Sequence, residues 1–319
     1  MLELVKGAKL IVETCAGIKP GEKVLVVADD EVFPMQMGRI VMDVANSAGA
    51  DAVLMVMKPR EISGEEPPQA VALAMKSVNA VIYITNRWGI GHTDARKEAT
   101  AAGVRCYSMV DVPEDCFKQD ISVADIHQIK ERTEKMAAKL TRARQARITG
   151  PGGTDLTMGL EGRPGLPLHP MWEVLGGLPD YAEAAISPVE GTTSGTLVID
   201  IGVIGWRYLL RQPIRCQVKS GRVVEVSGNE DADRFRKLST TDENASNIAE
   251  LGIGTSHTIP RIYRATRRDG GMAGNIHIAI GRNNDIGGQT WSRIHQDGLV
   301  DRPTVELDGE VIVRDGALV

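Results

Sequence analysis

The sequence predicts an α/β protein with an N-terminal doubly wound parallel-sheet domain and a C-terminal mixed α+β domain. Up to about residue 115, short apolar runs alternate with segments that have apolar residues at helical spacing, which is the pattern of parallel βαβ units. After about residue 145, Gly and Pro become frequent and short alternating segments replace that pattern. Only 4% of the residues are aromatic, so the cores must consist of aliphatic side chains and Met.

The N-terminal half contains four predicted strands separated by helices. The strands are KVLVVAD (23–29), DAVLMVM (51–57), NAVIYIT (79–85) and VRCYSMV (104–110). The helices lie in FPMQMGRIVMDVANSAGA, EPPQAVALAMKS and HTDARKEATAAG. No GxGxxG motif follows the first strand, so the sequence does not predict a dinucleotide site there.

The chain is long enough for two domains. We predict a Rossmann-like α/β domain at 1–120, a long bridging helix at 121–145 and an α+β domain at 146–319. Strands are expected in TLVIDIGVIG, IAELGIG and NIHIAIG, and hairpins are expected to turn at Ser220-Gly221 and Asp308-Gly309.

Charge and hydropathy restrict the class of function. The net charge is -5 and no basic block occurs, so we expect no nucleic-acid partner. No apolar run approaches the roughly 18 residues of a membrane span, and the N-terminus lacks a cleavable apolar region. Cys15 and Cys216 lie in apolar patterns that fit core positions. These features predict a cytoplasmic enzyme without a membrane partner.

The segment from Gly274 to Asp297 contains the candidate metal ligands. In NIHIAIG, alternation places His277 on the opposite face of a strand from the isoleucines. In IHQD, His295 and Asp297 share one side if the segment is extended. Glu250 stands in the otherwise apolar IAELGIG, where a carboxylate requires a cation, a metal or a proton. Imidazoles and carboxylates together indicate a divalent metal site.

A structural alternative exists for each of these residues taken singly. Glu250 could pair with an arginine such as Arg293, and the histidines could be hydrogen-bonded core residues. Their grouping in neighbouring short elements favours metal binding and makes the C-terminal domain a metal-binding domain.

The motifs SNIAELGIGT, GNIHIAIG, IHQDG and AEAAISPVEGTTSGTLVID resemble the aminopeptidase T family of metallopeptidases over roughly residues 150–310. The resemblance implies a pair of divalent metals, and the ligands it implies are Glu183, Glu250, His277, His295 and Asp297. The family also has a catalytic tyrosine shortly after the first of these histidines. Asn284 occupies that position in this chain.

The sequence also resembles the 2,5-dihydroxypyridine dioxygenases, which use mononuclear non-haem iron. Their HxD pair corresponds to His295 and Asp297. Their remaining ligands, a histidine and a serine, would fall on Asn247 and Ala279, neither of which can take that role. His257 is close enough in sequence to serve as an iron ligand if the loop shifts.

The resemblance to the aminopeptidase T family implies a metal-dependent hydrolase in which metal-activated water attacks an amide or peptide-like bond. Its cofactor would be one or two ions of zinc, cobalt or manganese. Glu250 or Glu183 would relay the proton, and His257, His169 and Arg282 are candidates to protonate the leaving group. The expected partners are a small-molecule or short-peptide substrate and further copies of the chain in a homodimer or larger oligomer. The alternatives are an Fe(II)-dependent ring-cleaving dioxygenase and a non-catalytic binding or scaffold protein.

Overall fold

The structure is a computed structural model that describes residues 2–61, 64–86, 89–91, 93–110, 117, 120–174 and 176–319. The chain divides into two compact units. The first contains residues 1–130 and 168–181, and the second contains residues 131–167 and 182–319. None of the described helices is both long and apolar enough to cross a membrane.

The first unit is built on a parallel sheet with strand order β2-β1-β3-β4. Its strands are β1 (Lys23–Asp29), β2 (Asp51–Met57), β3 (Ala80–Thr85) and β4 (Arg105–Val110). Its helices are α1 (Leu2–Lys9), a π-helix (Leu10–Cys15), α2 (Val32–Ser47), α3 (Gln69–Met75) and α4 (Asp94–Ala101). The four predicted strands and the three predicted helices between them are found at these places.

Both faces of the parallel sheet are covered by helices. Val26 and Ile82 pack with Met37 of α2 on one face. On the other face, Val27 packs with Met75 of α3. Burial on both faces explains why β1, β3 and β4 read as continuous apolar runs, whereas β2 at the sheet edge leaves Val53 and Val56 exposed.

The second unit contains two antiparallel sheets. The six-stranded sheet has the order β10-β15-β14-β13-β8-β7, and the eight-stranded sheet has the order β12-β11-β9-β6-β5-β16-β17-β18. The strands of the smaller sheet are β7 (Gly165–Leu168), β8 (Glu183–Ile186), β10 (Gly202–Val203), β13 (Ile248–Gly254), β14 (Ile276–Gly281) and β15 (His295–Val300). A parallel sheet together with antiparallel sheets confirms the predicted α/β class at this level.

The larger sheet contains the strand predicted in TLVIDIGVIG and both predicted hairpins, together with strands at 145–149 and 317–318 that the sequence patterns do not reveal. Its members are β5 (Gln145–Thr149), β6 (Asp155–Gly159), β9 (Ser194–Ile199), β11 (Ile214–Lys219), β12 (Arg222–Ser227), β16 (Thr304–Leu307), β17 (Glu310–Arg314) and β18 (Ala317–Leu318). Helices α5 (Val123–Arg142), α6 (Glu230–Leu238) and α7 (Arg267–Gly270) complete the described helical elements. The apolar faces of the two sheets share one core that includes Ile199, Leu251 and Ile278.

Candidate metal centre

The candidate site occupies the face of the six-stranded sheet that points away from the shared core. Antiparallel pairing sets Glu250 opposite Ala279 and Ala279 opposite Asp297. Residues directly opposite each other in neighbouring strands project to the same face. His277 and His295 lie on that face as well, since each is two residues from one of these positions.

A β-bulge directs Glu250 to this face. Ile248 pairs with Ile280 on the apolar side, whereas Glu250 pairs with Ala279 on the polar side, because the register shifts between Ile248 and Glu250. In a regular strand these two residues would share one face. Bulges commonly redirect a side chain next to a functional site.

The small residues of this face leave room for the ligands. A Cβ added to Gly252 would overlap the His277 ring, so the ring lies directly over the backbone of β13. Gly254 pairs with Glu183 of β8, which brings that carboxylate to the same surface. Glu250, Gly252 and Gly254 occupy every second position of β13 and therefore share one face. This spacing is visible in the sequence and indicates a face without bulky side chains beside Glu250.

All five predicted ligands converge in the structure. Two groups of ligand atoms, one from Glu183, Glu250 and His277 and the other from Glu250, His295 and Asp297, each lie within 4.8 Å of one another. Glu250 belongs to both groups. Four of the side chains are only 3–5% exposed, whereas that of Asp297 is 21% exposed, so the site is accessible beside Asp297.

The distances fit the donor set for a divalent metal. His277 Nε2 is 3.3 Å from Glu183 Oε2 and 3.6 Å from Glu250 Oε1. His295 Nε2 is 2.9 Å from Glu250 Oε2 and 3.2 Å from Asp297 Oδ1. Two ligands bonded at about 2.1 Å to one ion stand roughly 3 to 3.5 Å apart, so these spacings match N and O ligation.

The two histidines are oriented differently. His295 Nδ1 is 2.8 Å from the carbonyl oxygen of Arg282, and this contact directs Nε2 toward the carboxylates. His277 Nδ1 has no hydrogen-bond partner in the described part of the chain. Packing over Gly252 holds the His277 ring instead. The carbonyl of Arg282 is a positioning group that sequence patterns do not reveal, because a backbone acceptor carries no residue signature.

In the metal-free site, the imidazoles and the carboxylates shift one another's pKa values strongly. Burial would lower the pKa of His277, but Glu183, Glu250 and Asp297 outweigh it and raise the pKa to about 9. Burial also opposes protonation of His295, yet Asp297 and Glu250 raise its pKa well above the usual value. Burial would raise the pKa of Glu250, but hydrogen bonds from the two histidines lower it. A metal must therefore displace protons from both imidazoles.

The other candidate residues lie outside this cluster. His257 is exposed and its Nδ1 is 3.1 Å from Nη1 of Arg132. His169 belongs to the first unit, where it accepts a hydrogen bond from the backbone N–H of Met171. Asn284 is exposed and donates its backbone N–H to Thr290. Neither His257 nor Asn284 therefore joins the buried ligand group.

The positions implied by the dioxygenase ligand pattern do not supply ligands here. The side chain of Asn247 donates a hydrogen bond to the carbonyl of Gly281 at 3.0 Å. The methyl group of Ala279 lies between Glu250 and Asp297 in the register of the sheet. The alternative ion pair of Glu250 with Arg293 is not formed, since the backbone N–H of Arg293 binds Asp242 and its side chain belongs to an exposed residue.

Comparison with known proteins recovers both groups that the sequence resembles. The chain resembles the 2,5-dihydroxypyridine dioxygenase of Pseudomonas putida KT2440 with a TM-score of 0.81 and 16% identity, over 99% of this chain and 96% of that chain. It also resembles wild-type AmpT from Thermus thermophilus with a TM-score of 0.74 and 18% identity, over 100% of this chain and 99% of that one. At these identities the two structures establish the fold alone. No curated protein sequence matches the chain significantly.

The family model described as 2,5-dihydroxypyridine 5,6-dioxygenase (NicX) matches residues 4–319. The members of that family are enzymes, and so are both structural neighbours. A possible metal site of five acidic and imidazole side chains lies within the matched region. The match covers nearly the whole chain, and the chain therefore belongs to the 2,5-dihydroxypyridine 5,6-dioxygenase family.

Proposed function

We propose that this protein is a ferrous-iron enzyme that opens a hydroxylated pyridine-type ring with dioxygen. The observation that carries the proposal is the placement of two imidazole Nε2 atoms on the two oxygens of one carboxylate, Glu250. Two histidines and a carboxylate are the donor set of non-haem Fe(II) oxygenases. Family membership over residues 4–319 supports the same reaction class.

The proposed iron ligands differ from those that the resemblance to the dioxygenases implies. Asn247 and Ala279 cannot ligate, so we assign His277 and Glu250 to the iron beside the HxD pair His295 and Asp297. When bound there, ferrous iron would supply the activation of dioxygen and of the substrate hydroxyl group. The ring bond between carbons 5 and 6 breaks, and both oxygen atoms enter the product, so no external reductant is needed.

The protein's own groups orient the substrate and move its protons. Glu183 lies 3.3 Å from His277 and is the carboxylate farthest along the sheet from His295, so we assign to it the acceptance of a proton from a substrate hydroxyl. Access beside Asp297 lets the ring enter while the remaining ligands stay buried.

A second candidate function is amide hydrolysis at a pair of metals. The observation that favours it is the membership of Glu250 in both groups of candidate ligands, since two such groups side by side would suit a pair of metals. Against it stands the replacement of the family tyrosine by the exposed Asn284. In this reaction the metals would supply the activation of a water molecule, and Glu250 or Glu183 would accept its proton and pass it to the leaving group. His257 remains a predicted proton donor, and homo-oligomer formation remains a prediction.

Anaerobic loading with single metals separates these functions. With Fe(II) we expect oxygen uptake on addition of 2,5-dihydroxypyridine, together with incorporation of two labelled oxygen atoms. Hydrolysis predicts release of amine from an aminoacyl anilide with zinc, cobalt or manganese and without oxygen. Amine release without any oxygen uptake would overturn the oxygenase proposal. A non-catalytic protein would bind no metal tightly, and its stability would not respond to a chelator.

The variant His295→Ala tests the site itself. It removes a ligand that the Arg282 carbonyl orients, so the purified variant should lose bound metal and either activity. Unchanged metal content in this variant would contradict the assignment of the site.

A further inference from the structure

The segment from Thr255 to Gly271 borders the face of the six-stranded sheet that holds the candidate metal ligands. It begins directly after β13 and contains α7, Arg267–Gly270. A Cβ built on Gly270 would stand 3.2 Å from His277 Nδ1 and 3.2 Å from Ile204 Cδ1. The backbone of this segment therefore packs against a proposed ligand.

Asp269 holds the middle of the segment in one conformation. Its carboxylate is fully buried and accepts the backbone N–H groups of Tyr263, Arg264 and Thr266 at 2.8, 3.1 and 2.9 Å. It also accepts the hydroxyl of Thr266 at 3.2 Å. Ala265 is buried with φ at 53°, a left-handed conformation that a non-glycine residue adopts only where surrounding contacts impose it.

The start of the segment is held by α5. The guanidinium of Arg132 donates to the carbonyl of Thr255 at 3.1 Å, and the hydroxyls of Thr133 and Thr255 are 2.7 Å apart. The segment is consequently fixed at its start and in its middle, as a preorganised binding surface requires.

The segment concentrates positive charge. Its sequence RIYRATRR contains arginines at 261, 264, 267 and 268, in a chain whose net charge is -5. The adjacent Asp269 is occupied by backbone donors and forms no ion pair with Arg261 or Arg264. Arg261 and Arg264 are exposed, and neither forms an ion pair within the described ranges. Arg264 lies over the Tyr263 ring at 5.2 Å, which holds the guanidinium without neutralising it.

The segment that carries these arginines is anchored beside β15, the strand that contains Asp297. The backbone N–H of Ile204 donates to the carbonyl of Asp297, the most exposed of the proposed ligands. Ile204 belongs to a small apolar cluster with Ala265 and Leu299. Ala265 follows Arg264 directly, so the arginine segment is anchored beside the open edge of the site.

We propose that Arg261 and Arg264 form a subsite for an anionic substituent of the substrate, a carboxylate or a phosphate group. This inference rests on the proposed ring-opening function and adds that the ring carries an acid group outside the metal-chelating atoms. Guanidinium groups bind both kinds of anion in a bidentate manner, and Tyr263 offers an aromatic surface beside them. The proposed ligands hold the reacting end of the substrate, and the arginines hold the acidic end.

Equilibrium binding to the metal-loaded protein tests the subsite without turnover. The probes are pyridine-3-carboxylate, its neutral amide and phenyl phosphate, measured by calorimetry under anaerobic conditions. We expect at least one anionic probe to bind about tenfold more tightly than the amide, as a charged hydrogen bond predicts. The probe that binds more tightly identifies the acid group. Equal affinity for all three probes would overturn the proposal, whether or not the enzyme proves to be an oxygenase.

The variant R261Q/R264Q should abolish the preference for the anion while leaving metal content unchanged. Arg314, an exposed arginine at the end of β17 with no ion pair within the described ranges, provides the matched control R314Q, which should keep the preference. A preference that survives in R261Q/R264Q, or that is lost equally in R314Q, would show that the anion binds elsewhere. Oxygen uptake by the same preparations separates failure of the subsite from failure of the proposed reaction.

Discussion

The two faces of β13, β14 and β15 bury opposite kinds of side chain within a few ångströms of one another. One face contributes Ile276, Ile278 and Ile280 to the core shared with the eight-stranded sheet. The other face buries Glu250 and His277 just as deeply. Burial therefore does not distinguish core from site in this protein. Apolar contacts stabilise the first face, whereas the second is tolerated because its charges are mutually compensated and can bind a metal.

The largest effect is expected from Glu250→Gln on the polar face. Because Glu250 belongs to both ligand groups, the variant should lose bound metal and should lose activity by more than the roughly 10- to 100-fold that removal of an outer-shell partner costs. Metal analysis and turnover on one preparation check this result. Glu225→Gln, at an exposed position of β12, is the control and should retain both properties. Full metal content in Glu250→Gln would show that the carboxylate acts only as a partner for the histidines.

On the apolar face, Ile278→Ala should reduce stability without emptying the site. The side chain is fully buried between the two sheets, so truncation is expected to cost about 2–5 kcal/mol in the free energy of unfolding. Denaturant unfolding gives the loss, and metal analysis of the folded fraction should give the wild-type content. Loss of metal at unchanged stability would mean that the two faces are not separable.

Substitutions at Gly252 on the polar face and at Gly298 on the apolar face allow a direct comparison of the two faces. A Cβ at Gly252 would overlap the His277 ring, so Gly252→Ala should weaken metal binding about 10- to 100-fold. A Cβ at Gly298 would overlap the Ile199 side chain on the apolar face, so Gly298→Ala should cost about 1–3 kcal/mol of stability. Metal titration and denaturant unfolding of both variants should give opposite results. Equal changes in the two measurements would remove the distinction between the faces.

The pH dependence of stability should differ between the metal-free and the metal-loaded protein. The pKa of His277 is about 9 in the folded, metal-free site against 6.5 for the free side chain, so its contribution is complete below pH 6.5 and lost as pH rises through 9. The lowered pKa of Glu250 contributes stability that is present above pH 4.5 and lost in acid. Metal requires neutral imidazoles, so its stabilisation grows over the same rise in pH.

Thermal melts between pH 6.5 and 9 check this prediction. With chelator the Tm should fall as pH rises, and the Tm difference between metal-loaded and metal-free protein should widen. A metal-free Tm that increases across this range would contradict the proposed coupling of His277 with the carboxylates.

Local patterns predicted much of the fold and the site. The period-2 alternation of NIHIAIG separates His277 from the isoleucines, and the short spacing of His295 and Asp297 places both on one side of an extended strand. Apolar runs separated by helical patterns likewise located the four parallel strands. These features depend on neighbours along the chain, and a sequence displays them directly.

Only the tertiary structure determined how the separate pieces meet. Glu183 reaches the site because β8 pairs with β13, which is more than sixty residues away, and no local pattern encodes that register. The bulge in β13 sends Ile248 and Glu250 to opposite faces, although simple alternation would place them together. The orientation of His295 depends on a backbone carbonyl, and the position of Arg261 and Arg264 depends on the packing of Ala265. The sequence by itself identified the residue types of a metal site, while pairing and packing between distant segments decided which of them converge and what surrounds them.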